Sequence, residues 1–164
     1  MITTMAKGIL MLLVGAFLFI APISMYIEFQ QQCGGYLKQA ADANTVELAQ
    51  ERLDLALKYI EERGYTSGYT SVMWKTEDEN IGYWYQNLKA CQKELGDAKD
   101  GTQLEKSNVL MKVRESLTDN GKDGTELTIP DGLFKYPHNL LLGIIEIIAL
   151  LLVVFGIYNI HDDL

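Results

Sequence analysis

The chain is poor in the residues that surface catalysis draws on. Histidine occurs twice, at His138 and His161, and cysteine twice, at Cys33 and Cys91. The histidines have no cysteine or histidine partner at metal-ligand spacing. The glycine-rich phosphate loop, the GxSxG elbow and the HExxH zinc motif are all missing. These absences argue against catalysis, and no cofactor or metal is expected. Positive charge is also scarce: 14 Lys and Arg stand against 22 Asp and Glu, a net of −8. Such a surface repels nucleic acid and gains little from anionic lipid.

What the sequence does have is two long apolar runs. Leu140–Tyr158 reads LLLGIIEIIALLLVVFGIY and carries one charge, Glu146. At about 1.5 Å per residue it covers a hydrocarbon core of roughly 30 Å. Gly8–Ile27 is the second run. It follows Lys7 in the manner of a secretory signal, but its apolar stretch is longer than a usual signal core, so a retained signal-anchor is expected. Gly8 and Gly15 offer small surfaces where another helix can approach, and Pro22 is expected to kink the segment near its end. The resulting division is an N-terminal span over 1–27, a helical domain over 28–137, a second span over 138–159 and a short tail over 160–164.

The domain reads as four helices. The first continues the N-terminal span through Glu28–Asp42, weakened by Gly34-Gly35. Asn44 or Thr45 caps the second, whose Val46, Ala49, Leu53, Ala56 and Ile60 recur at three and four and which Gly64 stops. Thr76 with Glu79 forms a capping box for the third, with the stripe Ile81, Trp84, Leu88, Cys91 and Leu95. Thr102 with Glu105 opens the fourth, which carries Leu110, Val113 and Leu117 and is expected to stop at Asn120-Gly121. Stripes of this spacing predict an all-α, up-down-up-down four-helix bundle between the spans. The connection over 122–137 holds two glycines and two prolines. It is expected to be irregular, with a short strand at Glu126–Ile129.

A straight bundle keeps the cysteines apart: Cys33 lies about 8 Å and Cys91 about 22 Å above its membrane end. Disulfide partners need Cα atoms within about 7 Å, so two separate buried thiols are favoured over a Cys33–Cys91 bond. The stretch 65–85 is rich in aromatics: Tyr65, Tyr69, Trp74, Tyr83, Trp84 and Tyr85, around a tandem GYTS repeat. A core or membrane-interface role is expected for them, with partner binding as the alternative. Glu77-Asp78-Glu79 suits the first turn of a helix. Asp119–Gly124 begins like a calcium loop, but Gly121 and Pro130 stand where that loop needs ligands.

Glu146 invites a functional reading, because a charged carboxylate facing lipid costs several kcal/mol. It can carry a proton, pair with a donor on another subunit, or line an ion path. The first span offers no Lys or Arg at its depth, so contact with another subunit is preferred.

Charge bias near the spans is weak. The signal-anchor character of the first places the termini inside and the domain outside, in a bacterial inner membrane. The expected function is a non-catalytic membrane subunit that assembles with other membrane proteins, or with copies of itself, through its spans and its domain. One alternative is a sensor: span, four-helix bundle, span resembles the architecture of bacterial chemoreceptor-type sensors. Those sensors continue into a signalling helix, whereas six residues follow Tyr158 here, so signalling is expected to pass through a partner. The other alternative is ion movement through Glu146.

Overall fold

A computed structural model of the chain describes residues 2–73, 75–121 and 124–162. The chain is mostly helical and divides into two units, 1–27 with 137–164, and 28–136. Two helical stretches are long and apolar enough to cross a membrane, Thr4–Ala41 with mean hydropathy 2.4 and Asn139–His161 with 3.0.

The first unit pairs α1 (Ile2–Leu18) with α7 (Asn139–His161); α2 (Ile20–Phe29) follows α1 after a one-residue break. The helix breaks at Phe19 for a reason written three residues later. Pro22 has no N–H to give the Leu18 carbonyl, so the ladder tightens there, with Phe19 N–H donating to Ala16 O at 3.2 Å. An interruption of the helix thus lies upstream of the proline itself.

In the second unit, α2 gives way at Gln30–Gly34 to a π-turn, and α3 follows over Gly35–Ala41. The Gly35 N–H donates to the Gln30 carbonyl five residues back. Gly34-Gly35 therefore widens the helix by one residue rather than ending it. Next is α4 (Val46–Glu62), capped by Thr45, whose hydroxyl oxygen accepts from Leu48 N–H at 3.2 Å. Gly64 closes it in the left-handed region at φ 72°, and Tyr65 N–H reaches back to Ile60 O at 2.9 Å.

The third domain helix differs from expectation at its start. Thr76 and Glu79 do form a capping box, but around a 3₁₀ turn over Glu77–Glu79. Helix α5 begins at Ile81, where Asn80 accepts from Tyr83 N–H at 3.0 Å, and runs to Asp97. Helix α6 (Gln103–Leu117) opens on the Thr102–Glu105 box and stops earlier than expected. From Thr118 the backbone is extended and pairs as a hairpin, β1 (Thr118–Gly121) against β2 (Gly124–Leu127), with Thr118 opposite Leu127 and Gly121 opposite Gly124. The strand expected at Glu126–Ile129 therefore lies further upstream and ends at Leu127. A 3₁₀ turn at Leu133–Lys135 precedes the end of the unit.

The stripes read from the sequence form the core. Leu53, Ile60, Ile81, Leu88, Leu95, Val113 and Leu117 are buried, joined by Phe29, Leu37 and Leu133. Helix α3 packs on α4, α4 on α5, α5 on α6, and α6 on α3. Burying each large aliphatic side chain contributes about 1.5–3 kcal/mol, so these apolar contacts hold the unit together. The cross-helix ion pairs Lys89–Glu61 and Lys106–Glu47, both at 3.5 Å, lie at the surface and contribute little.

Candidate functional site

The seam of the first unit is built from small residues seven apart. Gly8, Gly15 and Pro22 are buried on one side, Ala149 and Gly156 on the other. A Cβ placed on Gly8 would stand 2.8 Å from Gly156 O and 2.9 Å from Ile160 Cγ1. On Gly15 it would stand 2.9 Å from Ala149 O and 2.8 Å from Val153 Cγ2. The glycines let the two backbones touch. Gly8 and Gly15 were expected to offer small surfaces where another helix can approach, and the helix that packs against them is the chain's own α7.

The contacts define an antiparallel register: one seven-residue step along each helix, in opposite senses, carries the Gly8 contacts onto the Gly15 contacts. Glu146, also on α7, is half-buried and engaged in an interaction. Near the other end, Asn159 Nδ2 donates to Phe155 O at 2.8 Å, satisfying an amide in an apolar helix.

The aromatic stretch does not form one surface. Tyr65 is buried among Phe29, Tyr59 and Tyr136, each ring centroid 6.3 Å away. Burial pushes the Tyr59 phenol up to about 12 and raises that of Tyr65. Tyr69 is half-buried under the Lys75 ammonium, 5.3 Å from its ring centroid. Tyr85 donates to Glu61 Oε1 at 2.8 Å, and this hydrogen bond raises its pKa. Tyr83 faces solvent, and Trp84 is buried. Trp74 lies outside the described residues. Cys33 and Cys91 are separate buried thiols. Burial raises the Cys91 pKa, the opposite of what a reactive thiol needs.

A concave site emerges that no single stretch announces. The 3₁₀ turn before α5, one face of α5 and the hairpin with the segment after it enclose a groove of about 490 Å³. Six carboxylates line it: Glu77, Asp78, Glu79, Asp119, Glu126 and Asp131. Among the described residues no Lys, Arg or His does. Trp84 forms part of its apolar floor with Leu88 and Ile129. The Trp84 indole N–H is buried and has no acceptor among the described residues. Only Glu77-Asp78-Glu79 was visible as a cluster in the sequence; the other three carboxylates arrive by tertiary folding. No described group of His, Cys, Asp and Glu has the arrangement of a metal site.

Comparison with family models, with the curated proteins and with the solved structures finds no match to this chain.

Proposed function

We propose that this chain is a non-catalytic integral membrane protein whose helical domain docks on other proteins. The observation that carries the membrane reading is what the two apolar helices leave uncovered. After pairing with each other, only 17% and 11% of their most apolar windows are buried. Leu10, Leu13, Phe17, Leu141, Ile147 and Phe155 are each more than half exposed. Water cannot solvate faces this apolar without a large cost, whereas lipid or neighbouring helices can.

We read helices α3–α6 as an up-down-up-down bundle held between the spans, on the outer side of a bacterial inner membrane with both termini inside. The closed sequence of helix contacts supports the bundle, and Lys7 before the first span supports the orientation. Docking is supported by the domain surface. Leu104 and Met111, 71% and 59% exposed, lie seven residues apart on α6, an apolar stripe that α6 does not turn to the core.

Alkaline carbonate extraction of membranes tests the anchoring: the protein stays in the pellet, and release to the supernatant refutes two spans. An alkaline phosphatase fusion at the domain tests the side, and activity is expected. Crosslinking mass spectrometry on native membranes tests docking, with crosslinks from lysines of the domain to other proteins or to a second copy as the expected result.

A further inference from the structure

We propose that the loop between α4 and α5 makes a third contact with the membrane: its exposed tip, Val72 and Met73, dips into the interface of the bilayer that the two spans cross. The inference rests on the reading of the apolar helices as spans and adds a lipid-binding site on the domain.

The tip is apolar where a solvated loop is ordinarily polar. Val72 is 52% exposed and Met73 75%. Among the described residues Met73 shows more of itself than Phe17, the most exposed large apolar side chain of the spans at 69%. Two such neighbours at a loop tip mark a contact rather than a solvated turn. The loop is also held in shape. Thr70 N–H donates to Glu79 O at 3.1 Å, Ile81 N–H donates to Gly68 O at 3.0 Å, and Tyr69 bridges to Asn80, closing a neck beneath the tip. On the returning side Thr76 and Glu79 form their capping box, and Lys75 lies over the Tyr69 ring. A loop fixed in this way loses little freedom when its tip is buried.

What covers the tip follows from where the neck is anchored. The domain begins at Glu28 and ends at Tyr136, and both ends meet the start of this loop. Arg63 pairs with Glu28. The Tyr65 ring packs on Phe29 and on Tyr136, with centroids 6.3 Å away in each case. Gly68 lies so close to Tyr136 that a Cβ would meet its hydroxyl at 2.5 Å. Glu28 directly follows the first apolar run, and the second span begins at Asn139, three residues after Tyr136. Met73 stands five residues beyond Gly68, a reach of at most about 18 Å. The interfacial layer outside the hydrocarbon is roughly 5–8 Å deep. The bilayer is therefore within reach of the tip whatever other partners the chain has. Headgroup charge is not the attraction, since Glu77-Asp78-Glu79 follow the tip and Lys75 is the one cation over 72–79. The contact is apolar and should not weaken as salt rises.

The test uses the full chain in phosphatidylcholine vesicles, with a nitroxide at Met73→Cys. Two reference positions accompany it: Leu13→Cys, 64% exposed on the first span, and Asp100→Cys, past the far end of α5 and about 25 Å along it. Cys33 and Cys91 are buried, and the parent taken through the same labelling gives the background. Collision with oxygen, which concentrates in lipid, is compared with collision with a water-soluble nickel chelate. The oxygen-to-nickel ratio at Met73 is expected to be several-fold above that at Asp100 and below that at Leu13. Adding Val72→Asp should pull the Met73 label back toward the Asp100 value. Val72 is exposed, so the circular dichroism of that variant should match the parent. If Leu13 reads as lipid while Met73 reads as Asp100 does, the spans stand and this proposal is overturned. If Leu13 also reads as water, the membrane reading fails and the proposal with it. A Met73 label that ignores Val72→Asp inserts by itself and overturns the proposal. A label shielded in native membranes but wet in pure lipid assigns the tip to a protein partner and overturns it too.

Discussion

The closest contact in the first unit can be measured by adding one methyl group. A Cβ on Gly8 lands 2.8 Å from the Gly156 carbonyl oxygen, and a Cβ on Gly156 lands 2.9 Å from the Gly8 carbonyl oxygen. Ordinary contact begins near 3.4 Å, so each alanine asks the helices to separate by about 0.5–0.6 Å. Both obstacles are backbone atoms, which cannot swing aside as a side-chain terminus can. Overpacking of this kind costs about 1–3 kcal/mol, offset by at most about 1 kcal/mol of alanine helix propensity. Gly8→Ala and Gly156→Ala are therefore each expected to destabilise the helix pair. The double variant should cost less than the sum, because one separation relieves both contacts. Gly143 supplies the control. It lies on the same helix as Gly156, but a Cβ there meets nothing within 4 Å. Gly143→Ala should be neutral or mildly stabilising. Steric trapping or thermal unfolding in micelles reads all four variants. A Gly143→Ala loss as large as that of Gly8→Ala would refute the reasoning.

Other outcomes follow from the domain. Gly68 sits at φ 103°, and a Cβ there would meet the Tyr136 hydroxyl at 2.5 Å, so Gly68→Ala should lower the melting temperature more than Gly96→Ala, whose Cβ only approaches Gln50 at 3.8 Å. Thr45→Ala removes the cap of α4 and should cost about 1 kcal/mol in urea unfolding, with Thr45→Ser restoring most of it. Leu53→Ala leaves a cavity in the core and should cost about 2–5 kcal/mol by the same assay. The alkaline limb of stability should depend on Tyr59. Its folded pKa is raised from 10.0 to about 12, so the unfolded chain releases the phenolic proton first. Above pH 10 the folded state binds more protons than the unfolded one, and stability falls as pH rises toward 12. Below pH 10 the phenol is protonated in both states and this contribution is complete. Tyr59→Phe should flatten the decline, and an unchanged pH slope in that variant would count against it.

The sequence carries the apolar helices and the core stripes plainly, because each is a local period. Val46, Ala49, Leu53, Ala56 and Ile60 are all buried, as are Ile81, Trp84, Leu88, Cys91 and Leu95. Ends are less legible where two local signals compete. Thr76–Glu79 is a sound capping box, yet Asn80 caps the helix again four residues later. Leu117 ends α6 because Thr118–Gly121 finds a strand partner, a pairing no helical stripe reveals. The glycines at 8 and 15 were legible as a packing surface but not as one that this chain fills itself. The acidic groove was the least visible feature. Its walls come from segments some fifty residues apart (77–79 against 126–131), and only the folded hairpin brings them face to face.

The π-turn has a consequence for which changes the chain can tolerate. Gln30–Gly34 makes room for one residue more than an α-turn would. Taking up that extra residue in a wide turn keeps Phe29 and Cys33 facing the same core as Leu37 and Ala40. Gln31 and Gln32 are exposed, so their identities matter little. Their number is open to change as well. Losing one would close the turn to an ordinary helix with Phe29 seven residues from Leu37, about 20° from the same face at about 100° per residue, so Phe29 would stay in the aromatic cluster. The wide turn acts as an expansion joint: a residue can be lost by closing it, with the core face unchanged.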